Sequence, residues 1–465
     1  MPATTSSGLR RDLRQRHMTM LALGGVIGAG LFVGSGVVIA QTGPAAVVSF
    51  VITGLLVALV MRMLGEMAVA APAVGSFYEY ARLAFSDRPA LGALAGFLTG
   101  WMYWYFWVIV VALEAVAGAA LVQFWWPQMP SWLISLTLLV ALTITNLISV
   151  RSFGEFEFWF ASIKVAAIAL FLGIAGIFVL GLWPGVGTNF GNLTLHGGFA
   201  PKGILPILTG AVAATGFYFG AEIATVAAAE AAEPAKAVAR ATNSVITRVL
   251  IFYVGSVLLV VCLLPWNSPA VATPYVSSLI AMRVPAAAHI MNAVVLTAVL
   301  SALNSGLYAS SRMLFALTTR GDAPKALAAL TRRGVPARAI LLGTLFGYGA
   351  VVMSYVSHDT VFAFLVNSYG TVAVFVYLLI AISQLKLRAR FEREAPERLQ
   401  VRMWGYPYLT YLAIGGMLAI LIAMGFIEEQ REPLLFGFAS LGILLLGYLW
   451  RVRFGTTAQP NRPVM

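Results

Sequence analysis

Apolar stretches of about 20 residues recur along this 465-residue chain, and they restrict its fold more than any other feature. Such a stretch is long enough for an α-helix to cross the hydrocarbon core of a bilayer. Only 10% of the residues are charged, whereas soluble domains contain about 25%. The first run, 18–41, is too long for the apolar core of a signal peptide and lacks a convincing cleavage site. We therefore expect an all-α polytopic membrane protein.

The apolar runs predict twelve spans, which place both termini on one side of the membrane. They are 18–41, 44–66, 91–122, 131–150, 158–182, 203–229, 243–266, 284–316, 338–357, 360–383, 407–427 and 434–451. All but four of the 30 lysines and arginines fall on the side of the termini. The exceptions are Lys202, Arg283 and Arg431 on the opposite side and Lys164 inside a span. Because basic loops stay in the cytoplasm, both termini are predicted to be cytoplasmic.

The net charge of +12 is explained by this topology and by attraction to anionic membrane lipids, so we expect no nucleic-acid partner. The single cysteine, Cys262, lies in an apolar span, which argues against a disulfide framework and a metal cluster. The four histidines lie near span ends or in loops, and no hydrolytic or metal-binding constellation is visible. The sequence therefore predicts neither an enzyme nor a protein with a metal or organic cofactor.

The first span contains the glycine-rich run "GGVIGAGLFVGSG" at 24–36, although glycine costs roughly 0.8–1.0 kcal/mol relative to alanine in a helix. A dinucleotide-binding loop would need an acidic residue about 20 positions further on, and 45–60 contains none. Close helix packing explains glycines at spacings of four and eight, but not Gly25 and Gly30. An interrupted helix explains them, because unwound backbone that lines a cavity offers N–H and C=O groups to a ligand.

A second interrupted span supports this interpretation. The sixth span contains "ATGFYFGAEIATVAAAE" at 214–230, with Gly216 and Gly220 before the intramembrane acid Glu222. Matched breaks five spans apart are typical of transporters built from inverted repeats. We therefore expect repeats at 18–182 and 203–383, two further spans within 407–451, and cytoplasmic tails at 1–17 and 452–465.

Ionisable residues inside a membrane are costly and therefore suggest function. Lys164 lies roughly 9 Å into the fifth span, at about 1.5 Å per residue. Either it extends its ammonium to the interface, or it is buried beside the broken first span and exchanges a proton during transport. Glu222 either ties loose backbone N–H groups together or contributes to amine binding and proton movement.

The third span places Glu114 on one helical face with Tyr103, Trp107 and Val110. This face either lines a substrate path or is core packing that contains one buried acid. Both interpretations are open at the level of the sequence.

Several stretches resemble the bacterial amino acid permeases of the amino acid–polyamine–organocation superfamily, and among them the γ-aminobutyrate (GABA) permeases. In order along nearly the whole chain, they are "RHMTMLALGGVIGAGLFVGSG", "GPA", "MRMLGEMAVAAPAVGSF", "GEFEFWFASIKV", "GAEIATVAAAEAAEP", "ATNSVITRVLIFYVGS", "LNSGLYASSRMLFALTTRGDAP" and "RMWGYPYLT". The resemblance implies a five-plus-five inverted-repeat fold with discontinuous helices 1 and 6, in which spans 11 and 12 are peripheral.

The resemblance also implies roles for individual residues. The substrate carboxylate would meet backbone N–H groups at 27–30, and its amine would meet carbonyls of span one and of the break in span six. Lys164 matches the family lysine that replaces a sodium ion in related carriers, which implies proton coupling. The full substrate-binding set is Ile27, Gly28, Ala29, Gly30, Gly216, Phe217, Phe219, Tyr103, Ser301 and Asn304, and the proton-coupling set is Lys164, Glu222 and Glu114.

One position departs from the pattern of the family. Relatives place an aromatic gating residue where this chain has Gly216, and the aromatic Phe217 follows one position later. The sequence thus predicts a proton-driven importer of GABA or a related ω-amino acid in the bacterial inner membrane, with room for a larger substrate. A permease for neutral or aromatic α-amino acids, an exchanger and a non-transporting amino acid sensor are the alternatives.

Overall fold

The computed structural model describes Leu13 and residues 15–24, 27–28, 30–73, 75–227, 250–356 and 358–454. Within these ranges the regular elements are helical, which confirms the all-α class. The helices are α1 Gln15–Gly24, α2 Ser35–Thr42, α3 Ala46–Ala70, α4 Phe77–Ala84, α5 Pro89–Gln123, α6 Ser131–Ile148, α7 Val150–Val179, α8 Leu205–Thr215, α9 Ile223–Ala227, α10 Ser256–Leu263, α11 Pro274–Ala281, α12 Ala287–Thr319, α13 Ala337–Val356, α14 His358–Glu394, α15 Tyr408–Phe426 and α16 Glu428–Phe454.

Nine helical segments of the described ranges are long and apolar enough to cross a membrane. Leu250–Leu263 and Ala337–Met353 are shorter apolar helices. The first two predicted spans join in one helical segment, Gly30–Ala70, through the short turn Gly43–Ala45. The count of twelve and the repeat boundaries stay predictions.

Both predicted helix breaks are present. In the first, α1 ends at Gly24 and the chain resumes as a π-helical turn at Gly30–Gly34 before α2. In the second, α8 leads into a single 3₁₀ turn at Gly216–Tyr218, and extended backbone follows at Phe219. Gly220 then has a φ of 118°, a conformation that favours glycine because a Cβ would clash with the backbone.

The helix that contains most of the fifth predicted span, 158–182, begins earlier than that span. The structure starts α7 at Val150, about two turns before the predicted boundary at 158, because Ser149 caps the helix by accepting a hydrogen bond from the Ser152 N–H. The helix therefore includes Glu157, which lies one residue before the predicted span and is fully buried.

The two long helices α5 and α12 pack extensively along one another. Gly306 of α12 permits the close approach, because a Cβ there would come within 2.8 Å of Val111 and 3.0 Å of Trp107 on α5. The helices α7 and α13 pack against α12, and α3 packs against α8. At the two helix breaks, the turn Gly216–Tyr218 packs against the turn Gly30–Gly34 and against α3 and α14.

Buried Asp322, just beyond the end of α12, ties together several helix ends. Its carboxylate accepts hydrogen bonds from the Tyr78 hydroxyl at 2.5 Å and from Arg82 at 2.6 Å, both on α4. The carboxylate also pairs with Arg451 near the end of α16. A single carboxylate thus connects α4, α12 and α16.

Candidate substrate site

The two helix breaks lie against each other through Gly30 and Phe217. A Cβ added to Gly30 would lie 2.6 Å from Cδ1 and 3.0 Å from Cγ of the Phe217 ring. The same ring lies over Gly34, one turn further along the first break. Only glycine leaves room for this contact, so the glycines of the first span make the close approach possible.

Space remains open beside both breaks. A Cβ added to Gly28 or to Gly216 would meet no heavy atom within 4 Å in the described part of the chain. The backbone around Gly28 also contacts the Tyr253 hydroxyl, which in turn donates a hydrogen bond to the Phe217 carbonyl at 2.8 Å. Polar backbone and open space therefore occur together, as a site for a small zwitterion requires.

Phe219, at the centre of the second break, is enclosed by aromatic side chains. Its ring centroid lies 4.1 Å from that of Phe106, 4.9 Å from Tyr377 and 6.2 Å from Tyr103. The distances to Tyr377 and Tyr103 lie within the range of about 4.5–7 Å for favourable aromatic pairs, and Phe106 lies closer still. The cluster holds the extended backbone of the break in place from the side of α5 and α14.

Glu222 is fully buried and holds the second break together. One carboxylate oxygen accepts hydrogen bonds from the Gly220 N–H and the Tyr377 hydroxyl, each at 3.0 Å. The other oxygen accepts a hydrogen bond from the Tyr103 hydroxyl at 3.3 Å. This geometry satisfies a backbone N–H that the broken helix would leave unpaired.

Lys164 is almost fully buried, at 1% exposure, so it does not extend to a membrane interface. Its ammonium donates a hydrogen bond to the Ser301 hydroxyl at 2.8 Å, and that hydroxyl donates one to Glu157 at 2.5 Å. Asn304 donates a hydrogen bond to the other oxygen of Glu157 at 3.3 Å. Ser301 and Asn304, predicted as substrate ligands, therefore belong to a polar cluster around Lys164.

Glu114 lies close enough to Lys164 for electrostatic interaction. Its Oε2 atom is buried and has no hydrogen-bond partner among the described residues. Tyr103 and Trp107, on the same predicted face, both contact Phe219. One helical face of α5 thus connects the aromatic cluster of the second break with the cluster around Lys164.

The predicted residues therefore fall into two groups. The first group forms the two breaks and includes Gly30, Gly216, Phe217 and Phe219. The second group consists of the buried Lys164 and the polar residues near it, Glu114, Ser301 and Asn304. Ile27 is buried beside the first break, and Ala29 lies outside the described residues.

Sequence reasoning missed Glu157, Tyr253 and Tyr377. The i, i+7 spacing of Glu157 and Lys164 places both on one face of a helix and is the signal that identifies the first of these. The two tyrosines lie in distant helices, and no local pattern marks them.

Comparisons with known proteins agree with this architecture. Residues 17–457 match the family described as "Amino acid permease". The chain is 52% identical over 447 residues to the gamma-aminobutyric acid permease of Bacillus subtilis, with coverage of 96% of this chain and 94% of that one. It is 38% identical over 468 residues to the aromatic amino acid transport protein AroP of Corynebacterium glutamicum, covering 99% and 98%.

A solved manganese transporter of Eremococcus coleocola shares the fold, with a TM-score of 0.57 at 13% identity and coverage of 94% of each chain. Two discontinuous helices, a family match over most of the length and long apolar helices lead to one conclusion. This chain belongs to the amino acid permease family of the amino acid–polyamine–organocation superfamily and is a multi-pass membrane transporter of amino acids, not an enzyme.

Proposed function

We propose that this protein is a proton-coupled importer of GABA or a related ω-amino acid in the bacterial inner membrane. Alternating access moves the substrate, and the proton gradient supplies the energy without a cofactor. Both termini lie in the cytoplasm, where the basic residues meet anionic lipid.

The paired helix breaks carry the proposal. A zwitterion needs N–H groups for its carboxylate and carbonyl groups for its ammonium, and unwound backbone offers both. The first break has open space at Gly28 and contacts the second break through Gly30 and Phe217. Because glycine has no side chain, Gly28 and Gly216 leave this space open, and a small amino acid would lie against the backbone itself.

The choice of substrate is supported by similarity to a protein named as a GABA permease, at 52% identity. The second candidate is a neutral or aromatic α-amino acid, and a specific observation favours it. Gly216 leaves space where relatives are expected to hold an aromatic side chain, and the chain is also 38% identical to an aromatic amino acid transporter.

Uptake of radiolabelled GABA into proteoliposomes tests the proposal. We expect accumulation when the outside is made acidic and little accumulation without a gradient. A panel of unlabelled GABA, proline, phenylalanine, asparagine and lysine as competitors then identifies the substrate class. Stronger competition by phenylalanine than by GABA supports the aromatic alternative. If none of these five amino acids, each supplied in labelled form, accumulates, amino acid import is refuted.

Exchange is separated from symport by counterflow. An obligate exchanger takes up labelled substrate only when liposomes are preloaded, whereas a symporter also responds to the pH gradient. Ligand binding with neither activity would indicate a sensor.

Proton coupling is supported by the buried ammonium of Lys164 and the acids near it. Substitution Lys164→Ala is expected to abolish gradient-driven accumulation. If this variant accumulates substrate as the wild type does, Lys164 has no part in coupling.

A further inference from the structure

Glu157 and Lys164 are two ionisable residues of α7 that are both buried inside the protein. They lie two turns apart on one face of α7 and have exposures of 0% and 1%. A charged side chain in such a place is tolerated only if it is paired and hydrogen-bonded. A third residue joins the two side chains by hydrogen bonds.

Ser301 of α12 bridges the two charges. Its hydroxyl accepts a hydrogen bond from Lys164 Nζ at 2.8 Å and donates one to Glu157 Oε1 at 2.5 Å. A hydroxyl that accepts on one side and donates on the other is a proton relay in geometric terms. A proton can thus leave Nζ for the serine oxygen while the serine proton passes to Oε1, which converts an ammonium and a carboxylate into an amine and a carboxylic acid.

The second oxygen of Glu157 is also held by polar groups. Asn304, one turn after Ser301, donates to Oε2 at 3.3 Å, and its own carbonyl accepts from Asn146 of α6 at 2.9 Å. Residues of α6, α7 and α12 therefore fix the orientation of this carboxylate.

The net charge of Lys164, Glu157 and Glu114 allows this cluster to take up one proton. Lys164 interacts electrostatically with both Glu157 and Glu114. When all three groups are ionised the cluster has an excess negative charge, and one added proton makes it neutral. The elements packed against α7 are α1, α6, α10, α12 and the turn Leu250–Gly255. Their titratable groups are Arg16, His17, Tyr253, Cys262, His289, Tyr308 and Arg312, and α5 adds Tyr103, Tyr105 and Glu114.

We propose that Glu157 is a positioning residue for proton coupling: through Ser301 it orients the Lys164 ammonium and shares its proton. This inference rests on the proposed proton-coupled function. It also reassigns Ser301 from substrate binding to the relay, so that loss of its hydroxyl affects coupling rather than affinity for the substrate.

The substitution Glu157→Gln tests the inference because it retains the shape of the side chain and removes its charge. We expect at least a tenfold lower accumulation ratio under an imposed pH gradient, with counterflow of labelled substrate within twofold of wild type. Ser301→Ala should give the same pattern with an unchanged KM for counterflow. The matched control is Glu155→Gln on the same helix, whose carboxylate is partly exposed and pairs with Arg16; it should keep both activities within twofold.

Several outcomes overturn the inference. One is a Glu157→Gln variant with wild-type accumulation and pH profile. Another is equal loss of counterflow and accumulation in a folded variant, which indicates a structural role alone. If Glu157→Gln does not fold, the double variant Glu157→Gln/Lys164→Gln removes both charges. This double variant should fold but should not show proton-coupled transport. Gradient-driven accumulation by the double variant contradicts the relay.

The proposed function and this inference fail separately. If substrate uptake by the wild type does not depend on the pH gradient, proton coupling itself is refuted. If uptake by the wild type and by Glu157→Gln depends on the gradient to the same extent, only the role of Glu157 is refuted.

Discussion

The contact between the two helix breaks makes the substitution Gly30→Ala the most direct test of the site geometry. The new methyl group would lie 2.6 Å from Cδ1, 3.0 Å from Cγ and 3.1 Å from Cβ of Phe217. Carbon atoms in favourable contact are about 3.5–4.0 Å apart. The Phe217 side chain must therefore move by about 1 Å, and its Cβ limits how far rotation of the ring alone can relieve the overlap.

The expected cost follows from two opposing effects. Overpacking of a buried contact usually costs about 1–3 kcal/mol. Replacement of glycine by alanine in a helical backbone stabilises the folded state by up to about 1 kcal/mol. We therefore expect Gly30→Ala to lower the free energy of unfolding by about 1–2 kcal/mol and to reduce transport, because the displaced Phe217 disturbs the second break.

Thermal unfolding in detergent and uptake into proteoliposomes measure the two effects. The matched controls are Gly216→Ala on the opposite break and Gly173→Ala within α7, where the added Cβ meets no heavy atom within 4 Å among the described residues. Both controls should keep wild-type stability or exceed it slightly. The second-site change Phe217→Leu should relieve the defect of Gly30→Ala. A Gly30→Ala variant as stable and active as wild type would show that the breaks do not pack as described.

Three further substitutions test other parts of the structure. Asp322→Ala should destabilise the protein by about 2–4 kcal/mol in detergent, because it removes the buried partner of two guanidinium groups. Arg451→Ala changes a partly exposed site and should cost about 1 kcal/mol or less. Equal costs of the two variants would refute this ranking. Tyr377→Phe removes one hydrogen bond to Glu222 and should cost about 1 kcal/mol of stability; an unchanged unfolding temperature would contradict it. Gly216→Phe should weaken competition by phenylalanine more than competition by GABA, since the ring takes up the open space beside the break; equal weakening of both would argue against a role in selectivity.

The helix breaks and the class of the protein were accessible from the sequence, because both depend on local properties. Twenty-residue apolar runs determine that the chain spans a membrane. Glycines that interrupt such runs, as at Gly28 and Gly220, mark where the helix cannot continue at low cost. These patterns also supported the family, which the comparisons then confirmed.

The partners of each side chain were decided only by the tertiary structure. The pairing of Gly30 with Phe217 and the relay from Lys164 through Ser301 to Glu157 join residues that lie more than 130 positions apart in the chain. Sequence periodicity reports which face of a helix a residue occupies, but not which other helix that face meets. Glu157 shows the difference: the apolar runs placed it one residue before a span, and the packing of α7 against α12 buries it near Lys164.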